Sequence, residues 1–319
     1  MATSRIDDLR LVDPVLTTIA QGYENPAFIA EILFPTVTVS KLKGKIPSFG
    51  KDAFVVRSTD RAVRASSNRI QPADFELVTF ETRERDIETA IDYLEEEESP
   101  DYFRYEQRIA KNLGDILKLG KEKDAADLAQ NTSNYSLGMV EELAEADAFN
   151  NYDSSVNPLD VINDAMNSVR NKIARYPNTI VMGISVYNAL LAHPNISSLV
   201  QYSGLAKVTD EILTKLLNID TIHVGMSVHT EDGNTFSDIW GGNVILAYVD
   251  KSPKGKRNEF NPSWGYTFQR EGMPEIDTYY ENGGKIKVIR NTDNYGIAIT
   301  GSDAAFLIKG AFQTITEGE

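Results

Sequence analysis

The spacing of apolar residues along the chain changes period several times, and each change marks an element. Val37 and Val39 alternate with Thr36, Thr38 and Ser40, and further on Phe75, Leu77 and Thr79 alternate with Glu76, Val78 and Phe80, the period-two signature of strands. Between them lie Gly44, Pro47, Gly50 and the polar stretch RSTDRAVRASSNRIQP, with almost no apolar content for a core of its own. The run ETRERDIE after Phe80 reads as polar on both faces. A two-stranded ribbon wet on both sides is marginal in water, so the pattern over 36–90 predicts an extended excursion that needs an external partner. Upstream, Asn25 is placed to cap a short helix that begins at Pro26, buries Phe28, Ile29, Ile32 and Leu33, and stops at Pro35.

The period then becomes helical. Ser99, Pro100 and Asp101 supply an N-cap hydroxyl, a first-turn proline and an acid at the positive end of the helix dipole. Tyr102, Tyr105, Ile109, Leu113 and Ile116 follow at spacings of three and four, one stripe on a helix predicted to run to about Gln130. Such a helix is roughly 45 Å long, more than a small domain requires. Gly114 and Gly120 inside it each cost about 1 kcal/mol against Ala, so tertiary packing has to hold it.

A polar stretch from 131 to 157 precedes the helix PLDVINDAMNSVRNKIAR, a strand over Thr179 to Met182, the helix SVYNALLAHP ended by Pro194, the helix VTDEILTKLLNID, and strands in TIHVG and DIWGGNVILAYVD. That alternation predicts a compact α/β unit. Beyond Pro253, Trp264, Tyr266 and Phe268 alternate, and EIDTYYENGGKIKVIR is a hairpin around Asn282-Gly283. The tail YGIAITGSDAAFLIKG offers two more apolar strands, or a strand and a short helix.

The chain has 319 residues, 41% hydrophobic and 25% charged, a globular composition long enough for two domains or one with large excursions. It has no cysteine, which removes disulfides, thiolate nucleophiles and sulfur-ligated metals. No apolar run approaches the roughly 18 residues of a membrane span, and no apolar segment follows MATSRIDDLR as in a signal peptide, so manufacture and use in a cytosol are expected. The net charge of −15 has the wrong sign for gripping phosphates over the whole surface.

That charge is uneven. Residues 41–70 carry Lys41, Lys43, Lys45, Lys51, Arg57, Arg61, Arg64 and Arg69 against Asp52 and Asp60, a net of +6. Residues 90–150 carry fifteen acids, including Glu95, Glu96, Glu97 and Glu98, against six cations, a net of −9. Either these are two solvated faces of one domain, or they are complementary between subunits, which steers and registers association.

Chemistry-bearing motifs are missing from the sequence. None of His193, His223 and His229 has a second ligand at helical metal-binding spacing, and His193, before Pro194, reads as a helix-end residue complementing the dipole's negative end. There is no nucleophile elbow, phosphate loop, dinucleotide fingerprint or zincin motif; KLKGKIPSFGK lacks both the strand-to-helix context and the GK[ST] ending. The contiguous acids Glu95 to Glu98 do not converge on a point as calcium ligands do. No catalytic residue, cofactor or metal site is assigned.

The order of arm, NPAFIAEILFP, long two-stranded loop, long helix opening at SPDYFRYEQRIAKNL, α/β unit and terminal strands resembles the major capsid proteins of tailed phages. The segments NPAFIAEILFPTVTV, NTIVMGISVYNALLAHP, WGGNVILAYV and YGIAITGSDAAFLIKGAF look like one branch of that family. The resemblance implies an α+β capsid fold with an N-terminal arm over 1–35, an extended loop over 36–90, a peripheral domain from 91–149 and 256–294 around a spine helix near 99–130, and an axial domain from 150–255 and 295–319. It also implies hexamers and pentamers tiling an icosahedral shell around double-stranded DNA, in virions assembled in the host cytoplasm. A portal, a separate scaffolding protein and a decoration protein are the further partners implied. An acidic net charge suits such a container, because a strongly basic lining would hold entering DNA. An encapsulin-like compartment enclosing cargo enzymes is the competing reading on the same architecture, and a cytosolic α/β enzyme with an unrecognised site is the more remote one.

The eight cations from Lys41 to Arg69 are then the loop's expected contacts with a neighbour, and Glu95 to Glu98 or the spine helix their expected acidic partners. Some relatives lose a long amino-terminal scaffolding segment to a protease; the arm here starts almost at Met1, so no such cleavage is expected. Others join a loop Lys to a neighbour's Asn, for which Asn291 or Asn294 would serve. That reaction needs a carboxylate of raised pKa to take the ammonium proton, which the family pattern places in a Glu shortly after the Asn. The tail instead offers Asp303, expected to be wet in its GSD turn, besides Asp293 between the asparagines. A shell without covalent links is the expectation.

Overall fold

A computed structural model of the chain describes residues 11–22, 28–47, 56, 58–69, 77–98, 102–153, 155–202, 209–253 and 256–313. Its first half contains β1 (Leu11–Val12), α1 (Pro14–Gly22), α2 (Ala30–Leu33), β2 (Thr36–Val39), β3 (Lys43–Pro47), β4 (Leu77–Glu81), β5 (Arg83–Asp92), α3 (Tyr93–Glu98), α4 (Tyr102–Gln130) and β6 (Val140–Glu142). Then come α5 (Pro158–Ile173), β7 (Thr179–Gly183), α6 (Ile184–Ala192), α7 (Pro194–Tyr202), α8 (Asp210–Leu216), β8 (Thr221–Gly225), β9 (Val228–His229) and β10 (Ser237–Asp238). The chain finishes with β11 (Val244–Ala247), β12 (Gly265–Arg270), β13 (Glu275–Glu281), β14 (Ile286–Ile299) and β15 (Ala305–Lys309).

Two sheets are organised around α4. In the first, β14 is the long central strand: β12 and β13 run in line along one flank, β5 runs along the other, and all three are antiparallel to it. The outer members are β1, on β13, and β2, parallel to β12. The second sheet has the order β6-β15-β11-β7-β8. Its inner strands VILA and TIVMG are buried at every position, which is why they read as unbroken apolar runs: a sheet covered on both faces has no wet side to alternate with. The helix α5 starts at Asn157, whose side chain accepts from the Leu159 amide at 3.3 Å, and buries Ile162, Ala165, Met166, Val169 and Ile173.

The helix α4 joins two cores. Near its start Ala110 and Leu113 pack with Leu16 and Ala20 of α1 and with Ile91, Ile276 and Ile289 of the first sheet. Near its end Ala125, Ala126 and Ala129 are fully buried in the larger core of the second sheet. At 29 residues it is about 43 Å long, and contacts at both ends offset the cost of its glycines. The residues expected to start it, Ser99 to Asp101, lie outside the described ones, as do Asn25 and Pro26.

Three expectations are corrected. First, ETRERDIE is no wet ribbon: residues 83–92 form β5, paired to β14 over its length. Ile87 and Ile91 face α4, while the polar Arg85 on that same face is satisfied, donating to Asp124 Oδ2 at 2.8 Å and lying 4.0 Å over the Tyr295 ring. A polar residue with a built-in partner defeats binary patterning. Second, the ribbon of β3 and β4 has a dry side, since Ile46, Val78 and Phe80 pack on Val37, Tyr266 and Phe268; with β2 also in the sheet, the excursion from it spans only 40–82. Third, Pro194 ends α6 but begins α7, and His193 is buried between them. Its Nδ1 accepts from the Asn195 amide at 3.3 Å, and burial holds its pKa down. The ring is therefore a neutral cap for α7 and not a cation at the end of α6.

Candidate inter-subunit surfaces

The excursion is firmly seated at its base. Phe80 stacks on Phe268 with centroids 4.3 Å apart and planes 11° apart, and Gly44 opposite leaves the ring its place, since a Cβ there would lie 2.5 Å from Phe80 Cε1. Where the ribbon departs from the sheet, Gly296 is required: a Cβ would lie 2.0 Å from the Glu81 carbonyl oxygen, contact with backbone that cannot yield.

Beyond the base, the described residues are not covered by the rest of the subunit. Residues 58–69 are exposed throughout, and Val56 and Val63 are 98% and 92% exposed. The segment holds its own shape: Asn68 Nδ2 donates to the carbonyl of Asp60 at 3.2 Å, and Arg61 donates to that of Ala65 at 2.8 Å. Lys41, Lys45, Arg61, Arg64 and Arg69 are exposed. Among the described residues of the excursion, Lys43 alone forms an ion pair, with Glu81 at 3.0 Å. Lys51 and Arg57 lie outside the described residues.

The first sheet has one face under α4; its other face carries the β3–β4 ribbon at the β12 end and is open along β5 and β13. On the open face stand Glu84, Asp86, Glu88 and Asp92 of β5 and, across β14, Glu275, Asp277 and Glu281 of β13, because alternate side chains of paired strands share a side. Arg290 sits between them, in a double hydrogen bond to the buried Asp277 at 2.7 and 3.2 Å, a bond that raises the pKa of the guanidinium. Tyr279 donates to Glu88 at 2.9 Å. Beside the Asp277–Arg290 pair, the six other carboxylates against Arg270 at the end of β12 give this face a negative field. Sequence inspection missed it, although period two in Glu84, Asp86 and Glu88 was there to be read. Glu95 to Glu98 form α3 immediately after β5, with Glu95 exposed and Asp92 accepting from the Leu94 amide at 3.0 Å. The exposed residues of α4 are of both signs: Arg104, Arg108 and Lys111 towards its start, Asp124 and Asp127 towards its end.

One buried carboxylate, also missed, ties the parts together. Glu122 of α4 accepts from the amides of Ile29 at 3.0 Å and Ala30 at 2.8 Å, from Trp240 Nε1 at 2.7 Å and from Ser227 Oγ at 3.4 Å. Burial pushes its pKa up, against these four bonds that pull it down. Next to it Lys121 pairs with Glu31 at 2.7 Å. A lone Glu in a helix gives no signal in sequence, because its donors come from 29–30, 227 and 240.

Asn291 and Asn294, the asparagines considered for cross-linking, are 1% and 3% exposed. Asp293 between them accepts from Gln269 Nε2 at 2.8 Å. Asp303 is half-buried and lies 3.6 Å from Lys172. Among the described residues no group of acids and histidines could hold a metal ion, and no helix is long and apolar enough to cross a membrane.

This architecture, two sheets threaded by one long helix with an excursion leaving the first, is shared by solved structures. A crystal structure of a phage-related protein from Bordetella bronchiseptica shares it with a TM-score of 0.78 at 26% identity, over 95% of this chain and 98% of that one. An encapsulin complex from Synechococcus elongatus matches over 100% of both chains with a TM-score of 0.51 at 11% identity, a likeness of fold alone. The fold is thus the one shared by phage capsids and encapsulins. No family model matches the chain. Its sequence is 41% identical over 307 residues, 96% of this chain and 98% of the other, to the major capsid protein of Burkholderia phage BcepMu. The chain belongs to the phage major capsid proteins.

Proposed function

We propose that the protein tiles a closed icosahedral head of hexamers and pentamers around double-stranded DNA, and that the excursion registers one subunit on the next. Its cations, exposed Lys41, Lys45, Arg61, Arg64 and Arg69 together with Lys43, Lys51 and Arg57, meet the acidic open sheet face of a neighbour, extended by Glu95 to Glu98. The carrying observation is the pairing of an uncovered cationic loop with an uncovered acidic face in a single chain. Complementary charge of this kind speeds and registers docking more than it tightens it, and the exposed Val56 and Val63 supply apolar area that only a partner can bury. The 41% identity to a phage capsid protein supports a genome as the cargo over the enzymes of an encapsulin. The role is structural, and no reaction is assigned. A separate scaffolding protein, a portal and, on the outside, a decoration protein complete the head in the host cytoplasm.

Density-gradient sedimentation of particles from infected or expressing cells tests this. Megadalton particles containing duplex DNA are expected on infection. A small soluble oligomer would refute the shell, and particles filled with protein in place of DNA would move the reading to a nanocompartment.

A further inference from the structure

The acidic face of the first sheet is not uniformly polar. By register, Glu88, Arg290 and Asp277 stand in one cross-strand row, Ala90, Val288 and Tyr279 in the next, and Asp92, Ile286 and Glu281 in the third. All are on the open side, because Ile87, Ile91, Ile276 and Ile289 take the α4 side. The middle row carries no charge. Tyr279 reaches across β14 to donate to Glu88 at 2.9 Å, so its ring roofs Val288, which is 3% exposed, while Ala90 beside it is exposed and Ile286 half-buried. An apolar spot thus lies within the acidic field, with Glu88 on one side and Asp92 and Glu281 on the other, rows about 13 Å apart. The tip of the excursion has the matching order. The Ala65 N–H donates to the Ala62 carbonyl at 3.1 Å, closing a turn whose central residues are Val63 and Arg64. Val63 is 92% exposed, and Arg61 and Arg64 are exposed on either side of it. Arg64 has a φ of +69°, the left-handed conformation that glycine takes most readily at this place in a turn. A long cation held there is an outlier of the kind that collects at functional contacts.

We propose that Val63 is the anchor of the loop: on a second copy of the chain it sits on Ala90 and the Tyr279 ring, with Arg61 and Arg64 turned to the acids on either side. The inference rests on the docking reading above and fixes its register. Charge alone does not fix it, because acids recur at every second position of β5 from Glu84 to Glu88, so a loop held only by their attraction can slide from one to the next. The uncharged row occurs once among those that β5 shares with β13 through β14. An apolar side chain has that one place to enter, and an apolar centre with a charged rim is the usual anatomy of a specific interface.

Because the chain has no cysteine, an engineered pair reports the register directly. Oxidised particles of the Val63→Cys, Ala90→Cys double variant should give disulfide-linked multimers in a non-reducing gel, with the 63–90 peptide pair found between chains by mass spectrometry, and its dissociated subunits should give monomers. Particles of the Val63→Cys, Glu84→Cys double variant should give monomers in the same gel. Linkage at 84 and not at 90 would overturn the inference while leaving the loop on the acidic face at another register. Linkage at neither, in particles that form, would overturn it together with the docking reading. In wild-type particles, hydroxyl-radical footprinting should find Val63 and Tyr279 protected several-fold relative to dissociated subunits; equal reactivity at either residue would overturn the inference without any substitution.

Discussion

Glu122→Gln keeps the shape of the side chain and removes its charge, so it isolates what the buried carboxylate does. With the remaining carbonyl oxygen at the Oε1 position, the bonds from Ile29, Trp240 and Ser227 survive in neutral form, while the amide group now faces the Ala30 N–H. An orphaned buried donor costs about 1–3 kcal/mol, and turning three charge-assisted bonds into neutral ones costs up to about 1 kcal/mol each, least for the long one from Ser227. Relief from burying a charge, whose cost shows in the raised pKa, offsets part of this, leaving about 3 kcal/mol. For a chain of this size that is a fall in Tm of about 4–5 °C. Thermal unfolding of dissociated subunits reads the total, and hydrogen exchange localises it: amides over 28–34 should lose protection while those over 179–183 keep theirs. An unchanged Tm with unchanged protection of 28–34 would refute the view that one carboxylate joins the arm, α4 and the second sheet.

Phe80→Ala should release the ribbon more than the body of the subunit, at about 3 kcal/mol, or about a hundredfold in the opening equilibrium, seen as faster exchange at 43–47 and 77–81 and as loss of assembly. His193 carries a depressed pKa, so its contribution is present above the unfolded value near 6.5 and is lost as pH falls through it. His193→Asn keeps an acceptor for the Asn195 amide without titrating, and its Tm should fall less than the wild type's between pH ~7.5 and ~5.5. Mature particles boiled in detergent should give a single 35.5 kDa band, because Asn291 and Asn294 are buried within their own subunit; a ladder of capsomer masses would contradict this.

Elements whose pattern is set locally were legible. The stripe from Tyr105 to Leu113, the alternation of Tyr266 and Phe268 and the Asn282-Gly283 turn each report a period or a turn chemistry that needs no distant partner. What was illegible depends on long-range pairing. Arg85 looks wet until Asp124 and Tyr295 are beside it. The dry side of the ribbon exists only because Phe268, 188 positions further on, lies under Phe80. Charge segregation along the chain pointed to complementary surfaces, but it took the pairing of β5, β14 and β13 to place seven acids on one face.

Assembly of a charge-swap series tests the central claim most directly. Arg57→Glu, Arg61→Glu and Arg64→Glu together should leave folded, soluble subunits that form no particles in analytical ultracentrifugation. Adding Glu84→Lys and Asp86→Lys to the same chain, so that a reversed loop meets a reversed face, should restore megadalton particles. Normal particles from the loop variant alone, or none from the double reversal while its subunits stay folded, would contradict the docking of the cationic loop on the acidic sheet face.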